Sequence, residues 1–250
     1  MLPPITISSP DAIASSLNYN SSINTIRPPS VTNDFGRTAS RIEVNKSSVT
    51  PARGTFDVKL VIDHAITYWV AGNSRTDIAS DSDSDISQVN YPKVVSDLTP
   101  PVAPVNVAGM VLLKNQPPRR LFWAEDLTVK HERFHAAEHA KFGQEGAILG
   151  HNWLNTQTAQ NDNDLVRLLG KVSQMVADRI DAAMTPPGVE QRAYDDGAAD
   201  YLARAQAIKN KGDAKGYVSK PAPQLPKSPP SPTPKAPTPS PPPSNEPIAK

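Results

Sequence analysis

Cysteine is absent from the 250 residues, which removes disulfides, thiolate nucleophiles, Cys-ligated zinc and iron–sulfur clusters. The compartment stays open, because a cysteine-free chain is tolerated on either side of a membrane. An excess of charge is missing too: 26 Lys+Arg stand against 25 Asp+Glu, for a formal charge of +1. No Lys/Arg-rich block occurs either, and both features argue against a nucleic-acid binder held by a broad basic face. No apolar run approaches the roughly 18–20 residues of a membrane-spanning helix. The first 20 residues have neither the positive start nor the apolar stretch of a signal peptide, and Arg27 is the first basic side chain. The sequence therefore predicts no leader; export, if it occurs, is expected to use a non-classical delivery machinery, and the alternative is the cytoplasm.

What the chain does have in quantity is proline, and proline divides it. Of 27 prolines, 13 fall between Pro221 and Lys250. A segment with so little to bury and so few backbone donors is expected to be disordered and polyproline-like, so 216–250 reads as a tail. It serves as a spacer or as a docking ligand for an aromatic-lined groove on a partner. Residues 1–40, rich in Ser, Asn, Thr and Pro, read as an irregular arm contributing at most one strand. From 41 to 113 the pattern is strand-like. Phe56, Val58, Leu60 and Ile62 alternate with polar residues, Ile66–Val70 suits a hairpin partner, and Val107–Leu113 is a third strand candidate. Asp81, Asp83 and Asp85 have the spacing of a calcium loop. Ile86 and Pro92 stand where that loop needs Gly and Glu, so a solvated loop is expected.

The pattern turns helical from 126 to 210. One helix is expected from Asp126 to Phe142, loosened by Gly143 and Gly146. A second runs from Asp164 to Met184 on Leu165, Leu168, Leu169, Val172, Val176 and Ile180. After Pro186-Pro187-Gly188 a third carries Tyr194, Tyr201, Leu202 and Ile208. Strands first and helices second predict an α+β fold, with a small antiparallel sheet in the N-terminal half and one domain over 41–215.

The chemistry concentrates on the first of these helices. Four of five histidines lie within 21 residues, and His131-Glu132-Arg133-Phe134-His135 is an intact H-E-x-x-H. A random chain of this composition would contain about 0.003 copies. On a helix, i and i+4 share a face, so two imidazoles can converge on one divalent ion. Glu132, turned by roughly 100°, misses the ion but reaches its water, and so suits a general base. The third ligand is open. His139 lies about 12 Å along the axis from His131, too far for three consecutive turns to close on one ion. A residue of the closing helix is favoured: Asp195 first, then Asp196 and Glu190, which shares the face of Tyr194, and then His151 and His139. Tyr194 or Tyr201 could supply a hydroxyl to a developing oxyanion, or simply pack in the core. Glu138 is a candidate outer partner of the site, and His64 reads as structural.

The H-E-x-x-H resembles the zincin metallopeptidases. Glu190-Gln-Arg-Ala-Tyr194-Asp195-Asp196-Gly197 is similar to the Tyr-Asp element of a small family of bacterial zinc-dependent proteases with a strand-rich N-terminal part and a closing helix. The likeness spans 41–208. It departs from that family after Tyr-Asp, where Gly197-Ala-Ala-Asp200 replaces an expected Thr and His-Gly, and from metzincins, whose Gly and third His it lacks. The resemblance implies Zn²⁺ held by His131, His135 and a later acid, a protein or peptide substrate laid along a sheet edge, and peptide-bond hydrolysis with Glu132 as base. The competing expectation is a non-catalytic module whose metal site is structural or degenerate, tethered by its tail.

Overall fold

The computed structural model describes residues 10–30, 34–52, 55–71, 87–88, 91–107, 109–119 and 124–217. The acidic stretch at Asp81–Asp85 and residues 218–250 of the Pro-rich tail lie outside the described residues. Three long strands come first: β1 (Asp11–Thr25), β2 (Gly36–Ala52) and β3 (Thr55–Val70). After them come helix α1 (Tyr91–Leu98) and a small hairpin, β4 (Val105–Val107) and β5 (Met110–Leu112). Helix α2 (Glu125–Leu154), strand β6 (Thr158–Ala159), and helices α3 (Asp162–Ala183) and α4 (Gly188–Ala214) complete the order. The fold is α+β. Among the described residues no helix is long and apolar enough to cross a membrane.

The main sheet has the order β2-β3-β1-β6. Its β2–β3 pair is antiparallel, as expected of the N-terminal half, and so is β1–β6; β1 and β3 run parallel, a departure from the all-antiparallel sheet expected. Strand β3 runs unbroken through Asp63-His64-Ala65, so Ile66–Val70 continues the strand and is not a hairpin partner of it. Its inward positions, Val58, Leu60, Ile62, His64 and Ile66, are all buried, and its outward ones include Asp57, Lys59 and Asp63. A register slip of one residue would exchange Leu60 and Ile62, each worth about 1.5–3 kcal/mol when buried, for the opposite face. Residues 11–25, read from sequence as part of the arm, form an interior strand. Inward Ile13, Leu17 and Tyr19 alternate with outward Ser16, Asn18 and Asn20, so half the strand is polar because one face of the sheet meets solvent.

Helix α2 crosses the inner face of the sheet. It continues to Leu154, twelve residues beyond the expected end at Phe142. The glycines that suggested its end are contact points instead. A Cβ on Gly146 would stand 2.8 Å from Cα of Val176 on α3, and one on Gly143 would run into His64 Nδ1. Close packing against α3 and the sheet overrides the weak helix propensity of glycine. The six apolar residues of the α3 stripe are all buried, packed on Val58, Leu60, Ile62 and Ala147. The Asn161 side chain caps α3 by accepting from the backbone N–H groups of Asn163 and Asp164. A second core joins α1, α4 and the start of α2 through Tyr91, Val94, Leu98, Leu127, Tyr201 and Ile208. Between the two cores, α2 presents His131, Glu132 and His135, all buried, towards the start of α4.

Candidate metal centre

His131 and His135 stand one turn apart on α2, and their Nε2 atoms are 3.0 Å from each other. Glu190, in the first turn of α4, reaches both: Oε2 lies 3.3 Å from His131 Nε2 and Oε1 lies 3.3 Å from His135 Nε2. A tetrahedral ion with bonds of 2.0–2.1 Å separates its ligand atoms by about 3.3 Å. The three donors are thus already spaced for one ion, and they form a His-His-Glu group that can hold a metal. Burial lowers the proton affinity of His131, with Arg119 and His135 adding to the effect and Glu190 opposing it. Burial alone would raise Glu190, but the two imidazoles outweigh it and hold the carboxyl well below the usual carboxylate range. A lowered proton affinity at His131 and an ionised Glu190 both favour the states in which these groups bind a cation. Neither Nδ1 atom has a hydrogen-bonding partner among the described residues, so packing orients the rings. His131 lies against the Tyr194 ring, with centroids 4.7 Å apart.

Glu132 stays out of this trio. Its Oε2 accepts a hydrogen bond of 2.7 Å from the Thr38 hydroxyl on β2. Burial raises its proton affinity, and the Thr38 bond opposes the rise. Gly36 lies directly beneath, where a Cβ would meet Glu132 Cγ and Oε1 at 2.7 Å. A cleft of about 230 Å³ opens there, bordered by Gly36, Thr38, Glu132, His135, Met184 and Glu190.

The other charge at the centre is Arg119, 8% exposed. Its guanidinium donates to Tyr194 Oη at 3.0 Å and to Tyr201 Oη and Thr128 Oγ1 at 3.2 Å, and it stacks on Phe35. These acceptors are neutral hydroxyls, and Tyr194 Oη, accepting from Arg119, keeps its own proton to donate. Arg119 has a φ of 42° and follows Pro117-Pro118 in coil, so no periodic signal marks it in the sequence. Thr38 and Gly36 fell within the expected arm. The alternation Gly36, Thr38, Ser40, Ile42, Val44 was the available sign of an inward-facing strand.

The remaining sequence-based candidates lie elsewhere. Asp195, placed first for the third ligand, is exposed and accepts from Asn115 Nδ2 at 2.8 Å and Gln191 Nε2 at 2.9 Å. Helix α4 turns Val189, Ala193 and Tyr194 inward, which brings Glu190 rather than Asp195 to the histidines. Asp196 is exposed. His139 meets Ser40 Oγ at 3.0 Å through Nδ1, and His151 Nε2 lies 2.8 Å from Ser15 O. Glu138 pairs with Arg192 at 2.8 Å rather than with a histidine. His64 is buried against Tyr19, whose hydroxyl is 2.7 Å from Nδ1. No protein-family model, curated protein or solved structure matches the chain.

Proposed function

We propose that the protein is a zinc-dependent peptidase of the zincin type. The observation that carries this reading is the convergence of His131, His135 and Glu190 at 3.0–3.3 Å beside a buried carboxylate, Glu132, that is not one of the three donors. Two imidazoles and one carboxylate with a fourth position open are the donor set of catalytic zinc sites. His139 and His151 are engaged with Ser40 and Ser15, which supports an open coordination sphere over a closed, structural one. Zinc bound there supplies an acidified water and a polarised carbonyl. Glu132 takes the water's proton and returns it to the leaving amine, a task its burial-raised proton affinity suits. Tyr194, fixed by Arg119, donates its hydroxyl to the oxyanion.

Strand β2 offers the seat for an extended substrate. It is an edge of the sheet among the described residues. Ala71 N–H donates to Phe35 O, so the ladder bonds fall on Phe35 and on alternate residues after it. Gly36 and Thr38, between them, turn their backbone N–H and C=O groups to the open edge, beside the cleft. A peptide added there as a further strand would pass along the base.

The test is cleavage of an unstructured protein by the zinc-loaded chain and by Glu132→Gln, with zinc content measured for both. Glu132→Gln is expected to keep its zinc and lose about 10²–10⁴ in rate. Equal rates would remove Glu132 as base, and absence of bound zinc in the unmodified protein would remove the reading altogether.

A further inference from the structure

Glutamate has three side-chain torsions and loses rotamer freedom when fixed, so a base held in one pose needs a holder. At Glu132 two residues of β2 share that task from the same face of the strand. Thr38 Oγ1 donates to Oε2 at 2.7 Å, and Gly36 leaves the space that Cγ and Oε1 occupy. We propose that Thr38 is a positioning residue for Glu132, tying down Oε2 so that Oε1 is the oxygen turned to the reacting water. This rests on the reading of Glu132 as general base.

The hydroxyl lies within reach of both the side-chain and the main-chain oxygen of Glu132, at 2.7 Å and 3.2 Å, so it ties the carboxylate to the start of its own helix turn. A valine methyl makes neither bond. Thr38 also turns its backbone to the open edge of β2, so the residue that would pair with an incoming strand is the one that holds the base. The stretch of β2 that would pair with a substrate thus also holds the base.

The experiment compares zinc-loaded full-length protein with Thr38→Val, which keeps the shape and loses the hydroxyl, and with Thr38→Ser, which keeps the hydroxyl. Thr38→Ala replaces the valine variant if valine disturbs the strand. Outer partners of metal sites are worth about 10–100-fold, and a loss of that size in kcat is expected for valine, with KM and zinc content unchanged. Serine should restore kcat to within about threefold of the unmodified rate, since the bond it remakes is the one lost. Crystal structures of all three proteins give a readout independent of activity: the Glu132 carboxylate should leave Gly36 in the valine variant and remain there in the serine variant. Glu132 unmoved in Thr38→Val, or serine as slow as valine, would overturn the proposal. An unmodified protein that binds zinc and cleaves nothing would defeat the peptidase reading, while the crystal structures would still decide whether Thr38 holds the carboxylate.

Discussion

The assignment of Glu190 as third donor can be tested without any turnover, through stability. Only a folded chain brings α2 and the start of α4 together, so zinc binds the native state and not the unfolded one. At 100 times the dissociation constant such binding stabilises by about 2.7 kcal/mol. For a folded unit of this size, each kcal/mol moves the melting temperature by about 2–4 °C, so metal-free protein should gain about 5–11 °C. Glu190 is the one anion among the three donors, and its oxygens stand 3.3 Å from both imidazoles, at the separation a bound ion requires. Removing its charge in Glu190→Gln should weaken zinc by at least about 100-fold, beyond the range seen for outer partners. At the same zinc concentration the stabilisation then falls to about 0.4 kcal/mol, or about 1–2 °C. Asp195→Asn, changed at the residue favoured by sequence, should retain the full shift. Differential scanning calorimetry of the three proteins with and without zinc reads all of this. A full shift in Glu190→Gln, or a lost one in Asp195→Asn, would refute the geometry.

Two further predictions concern the scaffold. Burial, assisted by nearby His139, lowers the His64 pKa from 6.5 to about 4, so the fold holds this ring neutral where the unfolded chain would protonate it. Its contribution is complete above pH 6.5, erodes as the pH falls below that, and is gone by about pH 4; the total is about 3 kcal/mol. Urea titrations of metal-free protein between pH 7 and 4 should show a shallower loss for His64→Gln, and parallel curves would contradict the assignment. Gly146→Ala would push a Cβ to 2.8 Å from Val176 Cα and should cost about 1–3 kcal/mol, whereas Gly170→Ala, on α3 with nothing within 4 Å, should gain about 0.5–1 kcal/mol. Thermal melts decide this pair, and a stabilising Gly146→Ala would show that α2 and α3 are not in close contact.

Helix α3 and the His131–His135 pair were legible in the sequence because each is a local, periodic feature. Six apolar residues at helical spacing have one solution, and two histidines four apart share a face wherever their helix goes. The third donor was not legible, because it depends on how far α4 rotates about its own axis against α2, a question of tertiary packing. Asp195 and Glu190 both sit near the apolar stripe, and only the inward turn of Val189, Ala193 and Tyr194 separates them. Strands β1 and β2 were hidden by their composition: one face meets solvent, and the other uses small or hydroxyl residues where it passes beneath the site. The end of α2 was misplaced because glycine's propensity is local while its use at Gly146 is a contact with α3. Gly36, Thr38, His131, Glu132 and His135 all stand at inward positions where periodicity alone would demand apolar side chains. A departure from the apolar pattern on a buried face, matched across two elements that pack together, is therefore the more informative signal. On β2 and α2 it marks both the base and the strand that holds it.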